Sequence, residues 1–202
     1  MRLSAYILPS NDPHQSEYVA DHWKSREWIS GFTGSAGVAV VTQETAGLWT
    51  DSRYFLQAEQ ELVGSPVTFH KQTGSQIPDH YLWLKAQLKA GDRLGIDGKL
   101  LSIEGHRALD SAFEDTDITL VTEFDAVAVA WENRPPLPTA SVFAHASALA
   151  GRTCKEKLEA IRAEMIRLGT SQLLVVTLDD IAWIFNLRGR DVDYNPVFYA
   201  YA

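Results

Sequence analysis

Short blocks of apolar and polar positions follow one another along this chain, and each block carries the period of one secondary-structure element. Leu3 to Leu8 is a brief apolar run closed by Pro9-Ser10-Asn11-Asp12-Pro13, which predicts a strand ending in a turn. Ser16 to Trp28, with Val19, Trp23 and Ile29 near one face, predicts a helix. The glycine-rich Gly31-Phe32-Thr33-Gly34-Ser35-Ala36-Gly37 then leads into an apolar strand, Val38-Ala39-Val40-Val41, with Ala46 to Thr50 as its hairpin partner. Asp51 to Leu62 reads as helical, with Tyr54, Phe55, Ala58 and Leu62 on one stripe. Ile77, Tyr81, Leu84 and Leu88 recur at helical spacing, with Gly91 in the place of a C-terminal capping glycine. Arg93 to Asp97 predicts a strand, Ser102 to Phe113 a helix, Ile118 to Thr122 a strand and Ala126 to Trp131 a short helix. Strands alternating with helices predict an α/β fold with a mixed or mostly parallel sheet.

The pattern breaks over residues 132–153. Arg134-Pro135-Pro136-Leu137-Pro138 cannot be helical, because each proline lacks an N–H and holds its predecessor extended. This stretch is the expected linker between a first domain, 1–131, and the start of a second, 154–202. Thr153 with Glu156 forms a capping box, so a helix begins there, with Leu158, Ile161, Met165 and Leu168 as its buried stripe and Gly169 closing it. Leu173 to Thr177 predicts a strand, Leu178 to Asn186 a helix and Pro196 to Tyr201 a strand. About 50 residues make a thin core, since even a ~60-residue domain is marginal on burial grounds. The second domain is therefore expected to be incomplete.

The composition adds bounds. At 46% hydrophobic and 22% charged residues, the 202-residue chain is of globular type. Its formal net charge of −8 lacks the basic face that nucleic acid requires, and gives no attraction to anionic membrane surfaces. One cysteine, Cys154, excludes an internal disulfide and fits a reducing compartment. The first residues hold too short an apolar run for a signal peptide, and no run reaches the ~18 apolar residues of a membrane span. The expectation is a soluble, cytoplasmic protein.

Candidate chemistry is sparse. The loop at 31–37 has G-x-x-G-x-x-G spacing, matches neither phosphate-binding motif and precedes a strand, so its glycines read as turn-formers. Ser35 lacks the glycine two positions before it that a nucleophile elbow needs. The six histidines, at 14, 22, 70, 80, 106 and 145, show no local ligand pair. Asp179 and Asp180 would point about 100° apart on a helix and read as N-terminal residues favoured by its dipole. Two arginines remain. Arg53 stands just past a strand end, where α/β domains gather ligand-binding groups, and Arg188 stands at a helix end before Gly189. Either could grip a carboxylate bidentately, or serve as an ordinary salt bridge or, for Arg188, a helix C-terminal charge.

Several long segments resemble the three-domain Xaa-Pro aminopeptidases of the creatinase/prolidase superfamily. They are Ala5-Tyr6-Ile7-Leu8-Pro9-Ser10 with His14-Gln15-Ser16-Glu17-Tyr18-Val19-Ala20, then Ile29-Ser30-Gly31-Phe32 with Gly34-Ser35-Ala36-Gly37. Leu48-Trp49-Thr50-Asp51-Ser52-Arg53-Tyr54-Phe55-Leu56-Gln57-Ala58 and the Arg134–Pro138 linker follow. Leu178-Asp179-Asp180-Ile181-Ala182-Trp183-Ile184-Phe185-Asn186-Leu187-Arg188-Gly189 and Tyr194-Asn195-Pro196-Val197-Phe198 close the match.

The resemblance implies a creatinase-like first domain, the start of a similar second one, and a catalytic "pita-bread" domain absent from residues 1–202. It implies an enzyme that removes an N-terminal residue when proline follows, using two divalent metal ions, commonly manganese, held in that absent domain; this fragment is expected to bind none and to be inactive alone. The region's implied roles are homodimer assembly and shaping of the cleft for proline-containing peptides. Arg53 falls on the family's substrate-binding arginine, with Ser52 in place of the usual preceding glycine; Arg188 stays a second substrate-binding candidate. One alternative is a stand-alone, non-catalytic module for oligomerisation or partner binding; another is a different superfamily member such as a prolidase or creatine amidinohydrolase, and against that second alternative the linker and the Leu178–Trp183 segment argue.

Overall fold

The apolar runs become strands because both of their faces are covered. In the computed structural model, which describes residues 2–202, Ala5–Pro9 (β1), Val38–Thr42 (β2), Ala46–Thr50 (β3), Val67–Lys71 (β4), Arg93–Ile96 (β5) and Thr119–Val121 (β6) form one six-stranded sheet. Its order is β4-β3-β2-β1-β5-β6. β1–β2 and β2–β3 are antiparallel; β1–β5, β5–β6 and β3–β4 are parallel. The helices Ser25–Ser30 (α1), Phe55–Glu61 (α2), Asp79–Gln87 (α3), Ile103–Phe113 (α4) and Ala126–Ala130 (α5) flank it. This is the expected mixed α/β architecture.

Alternation along each strand splits the core in two. Ala5, Ile7, Val40 and Trp49 face one side, packed with Tyr81 and Leu84 of α3 and Leu109 and Phe113 of α4. Tyr6, Leu8, Ala39 and Leu48 face the other, with Phe32, Ala58, Leu62 and Val127. Burying one such large side chain stabilises by roughly 1.5–3 kcal/mol, and a one-residue slip would send every one to the wrong face, so the register is strongly specified.

Three expectations need correction in this unit. The helix expected over Ser16–Trp28 is reduced to a single 3-10 turn, Asp21–Trp23, and α1. The Asp12 carboxylate accepts the backbone N–H groups of His14 and Ser16 at 2.9 and 3.0 Å, which holds this stretch in a turn, and Gln15 adopts φ 57°. Gly91 does not cap α3, whose C-cap is the extended Leu88; Gly91, at φ 84°, instead turns the chain into β5 and donates to Asp117 O at 2.7 Å. β4 is an unforeseen strand. Its V-T-F-H-K sequence is polar enough to pass for a loop, which suits a sheet edge, where one side of the ladder meets solvent.

Backbone packing divides the chain into residues 2–17 with His22–Pro135, the unit just described, and Tyr18–Asp21 with Pro136–Ala202. The second unit contains Phe143–Ala144 (β7), Ser147–Ala150 (α6), Cys154–Arg167 (α7), Leu178–Phe185 (α8) and Leu187–Arg188 (β8), with β7 and β8 paired antiparallel. β7 and α6 thus lie within the stretch read as linker. The Thr153–Glu156 capping box starts α7 as expected. The stripe of α7 is shallower than expected: Leu158, Ile161 and Met165 are half-buried and Leu168 is 62% exposed, because little besides α8 packs against it. Neither Leu173–Thr177 nor Pro196–Tyr201 forms the expected strand: Val175 and Ala202 exchange a reciprocal bond pair at 2.7 and 3.2 Å, and Pro196 O and Val197 O accept from Gly189 N and Asp191 N at 3.3 and 3.2 Å.

Candidate functional site

The carboxyl end of β3 carries a local hydrogen-bond network in the first unit. Thr50, fully buried, donates through Oγ1 to Ala36 O at 2.6 Å. The chain then turns through Ser52–Tyr54, capped by Asp51, whose Oδ1 accepts the Arg53 N–H at 3.0 Å. This aspartate also holds the Arg53 guanidinium in a fork: Oδ1 accepts Nε and Oδ2 accepts Nη2, both at 2.9 Å. The guanidinium carbon lies 5.3 Å from the centre of the Tyr54 ring. The hydrogen-bonded pair holds the Asp51 carboxyl below the usual carboxylate range and raises the guanidinium further. The Arg53 side chain is 62% exposed, so its charge is presented to solvent. Ser52 adopts no left-handed φ, so the turn does not need glycine there.

The glycine-rich loop is bolted against this turn. Gly31 takes φ 75° at the end of α1, where its N–H bonds Glu27 O at 2.7 Å. A Cβ on Gly34 would come within 2.3 Å of the Phe32 ring, and one on Gly37 within 2.9 Å of Trp49 O, so the loop packs too closely for side chains at either position. Ser35 Oγ meets Tyr54 Oη at 2.7 Å, and the Phe32 and Tyr54 rings pack edge to face at 5.9 Å. Thr33 donates through N and Oγ1 to the Glu61 carboxylate of α2 at 2.8 and 2.6 Å. Only Gly31 is a turn-former as expected; Gly34 and Gly37 have no left-handed φ and are required by close packing, and the serine is a loop brace.

Arg26 of α1 organises this loop and went unnoticed in the sequence. It is buried, donating Nε to Ser10 Oγ at 2.7 Å, Nη1 to Phe32 O at 2.8 Å and Nη2 to Gly34 O, with the Phe32 ring 4.9 Å away. Burial lowers its pKa. No motif marks it; its acceptors are loop carbonyls, which any sequence supplies.

Arg188 belongs to the second unit. Half-buried, it donates Nη1 to Ala182 O at 2.8 Å and to Leu187 O at 2.7 Å, so it satisfies carbonyls at the end of α8 in the manner of a helix C-terminal charge. Nearby, the buried Lys157 donates Nζ to Trp183 O at 2.7 Å and Asn186 Oδ1 at 2.6 Å, over the Trp183 ring at 4.2 Å. Asn186 takes the left-handed conformation that ends α8, and its Nδ2 donates to Arg152 O at 2.9 Å. Asp179 and Asp180 sit in the first turn of α8, where Asp180 accepts from Thr177 Oγ1.

Two histidines share one indole. His70 stacks on Trp49 at 4.3 Å and 8°, and His80 lies 6.1 Å from the same ring. Burial lowers both, His80 to about 4, and His80 Nδ1 is buried without a partner. Among the described residues, no group of three or more His, Cys, Asp or Glu could hold a metal ion, and no helix is long and apolar enough to cross a membrane.

Residues 2–127 match the Creatinase/Prolidase N-terminal domain family, and residues 133–202 match a second family of the same description. The chain is 43% identical over 205 residues to Xaa-Pro aminopeptidase 2 of Sus scrofa, covering 98% of this chain and 30% of that protein. It is 40% identical over 202 residues to aminopeptidase P2 of Arabidopsis thaliana, covering 98% of this chain and 28% of that protein. Its fold superposes on X-prolyl aminopeptidase from Caenorhabditis elegans, described as a cytosolic enzyme with a di-nuclear active site. The TM-score is 0.88 at 32% identity, covering 100% of this chain and 33% of that one. The chain therefore spans about 30% of the length of the curated relatives it matches.

Proposed function

We infer function from membership: this chain belongs to the creatinase/prolidase N-terminal domain family. We propose that it is the N-terminal, non-catalytic region of an Xaa-Pro aminopeptidase, which releases the first residue of peptides with proline second. In this reading the region supports a homodimer and forms part of the wall of the substrate cleft. Its reaching group is Arg53, in contact with a substrate bound by the partner subunit. The observation that carries the reading is the setting of Arg53: an exposed guanidinium fixed on a capped turn at the end of a buried strand. A surface ion pair alone needs no such scaffold.

The complete enzyme, on this proposal, uses two divalent metal ions, manganese being the family's usual choice. The described residues do not fit such a centre, since they bring together no ligand group. What this chain's residues can do is bind and orient. Proline at the second position gives a peptide bond without an N–H and a kinked backbone. A cleft for it gains little from backbone acceptors, and a fixed guanidinium supplies direction through charge-assisted hydrogen bonds. Cytoplasmic residence is proposed too, supported by the single cysteine and by the cytosolic C. elegans neighbour. Arg188 is proposed only as a secondary contact, since its Nη1 already serves two backbone carbonyls.

The test is Arg53→Ala in the full-length protein, assayed by release of the first residue from several Xaa-Pro-Yaa peptides. The expected result is a higher KM or a lower kcat/KM with an unchanged circular dichroism spectrum. Wild-type kinetics on every peptide would remove Arg53 from the site. Equilibrium sedimentation of the same protein tests the dimer, and a monomer at assay concentration would refute it.

A further inference from the structure

We propose that Asp51 is a positioning residue that decides which edge of the Arg53 guanidinium meets substrate. The inference rests on the reading of Arg53 as a substrate contact. A guanidinium is a rigid plane with two edges, each able to grip a carboxylate through parallel N–H groups: Nε with Nη2, and Nη1 with Nη2. Asp51 occupies the first edge, with Oδ1 on Nε and Oδ2 on Nη2, both at 2.9 Å. Among the described residues nothing else accepts from this guanidinium, so the Nη1–Nη2 edge is left for a ligand.

The direction of that edge is inherited from the backbone. The same Oδ1 that takes Nε also caps the Ser52–Tyr54 turn through the Arg53 N–H, and Tyr54 N–H bonds Asp51 O at 3.0 Å. Behind it stands Thr50, fully buried and tied to Ala36 O. Side chain, turn and sheet thus form one chain of contacts. An exposed arginine without such a clamp would spread over many rotamers, and ordering it would weigh against binding. The clamp also cancels the local charge. Arg53 paired with Asp51 attracts anions weakly at long range, so recognition depends on two parallel N–H groups at close range. That favours a planar two-oxygen anion, a carboxylate, over anions that offer only charge.

A double-mutant cycle in the full-length enzyme, with an Xaa-Pro-Yaa peptide, tests this. Asp51→Asn keeps an oxygen for the turn cap, where Asn and Asp are equivalent, but removes the charge and one acceptor of the fork. Asp51→Ser is a second cap-preserving variant. The expected result is a KM raised about two- to fivefold, the range of an exposed ion pair, with kcat unchanged and a steeper rise of KM with salt. In the Arg53→Ala background the same substitutions should change nothing. A purely structural role for Asp51 would persist in that background, and this outcome overturns the proposal. So does an unchanged or lowered KM, or a changed kcat, in Asp51→Asn when Arg53→Ala alone is impaired. If Arg53→Ala itself behaves as wild type, the reading of Arg53 falls and the role of Asp51 falls with it.

Discussion

Acidification from pH 7 to pH 4 should weaken the six-stranded unit, and His80 should account for a distinct share of the loss. Its imidazole is 7% exposed, with Nδ1 unpartnered, and packs against Trp49 and Tyr81. Burial penalises the imidazolium and moves the pKa from 6.5 down to about 4, with Asp79 beside it opposing the shift only in part. The unfolded chain takes up this proton below pH 6.5 and the folded one only near 4. In that window the unfolded state holds more protons, so stability is full above 6.5 and falls steadily toward 4. Moving this pKa from 6.5 to about 4, at ~1.4 kcal/mol per tenfold, amounts to about 3.5 kcal/mol in full, of which about 3 kcal/mol is lost by pH 4. That is a large fraction of the roughly 5–15 kcal/mol that domains possess. Other acid-sensitive groups, such as Asp51, Asp79 and Glu61, have lowered pKa values and also lose stability in acid, so a difference measurement is required. Wild type and His80→Leu should be compared by urea denaturation at intervals between pH 7 and 4. Tryptophan fluorescence is the probe, because five of the six tryptophans (23, 28, 49, 83 and 131) lie in this unit. The stability difference between the two proteins should shift by about 3 kcal/mol in favour of the variant as pH falls. Parallel curves, or a His80 ring proton titrating near 6.5 by NMR, would refute the reasoning.

Other expectations are simpler to state. Gly34→Ala should destabilise the first unit by roughly 1–3 kcal/mol, the cost of overpacking, since its Cβ would strike the Phe32 and Tyr54 rings. Gly31→Ala, with open space around it but φ 75°, should cost about 1–2 kcal/mol from backbone strain alone, and thermal melts of both variants check the order. Lys157→Met should lower the stability of the second unit by about 1–3 kcal/mol, because Trp183 O and Asn186 Oδ1 lose their donor. Asn186→Ala should cost more than Lys157→Met, since it leaves a buried ammonium one acceptor short and puts alanine in a left-handed position; equal or reversed costs in denaturant melts would contradict this. The kinetic effects of Arg53→Ala and Asp51→Asn complete the set.

Much of the architecture was legible because it rests on local rules. The apolar runs of Val38–Val41 and Ala46–Thr50, bounded by turn residues, mark buried strands by themselves, and the Thr153–Glu156 box is a complete signal within four residues. Arg53 was legible as a candidate, by its place past a strand end and by its motif. The clamp that Asp51 closes on it was not, because the same Asp-x-Arg spacing fits a turn with either side chain free. β4 escaped because an edge strand is recognised by the neighbour it pairs with, here β3, and not by its own apolarity. Arg26 escaped because its acceptors are carbonyls that carry no side-chain identity. The pairing of His70 and His80 on Trp49 joins residues far apart in sequence, and their lowered pKa values follow from burial. Sequence alone therefore determined the α/β alternation, the capped helix starts and the arginine at the strand end, since each is set by neighbours a few residues away. Only the tertiary structure decided which groups are buried and where each arginine donates, since burial and hydrogen-bond partners depend on chain segments that local patterns never bring together.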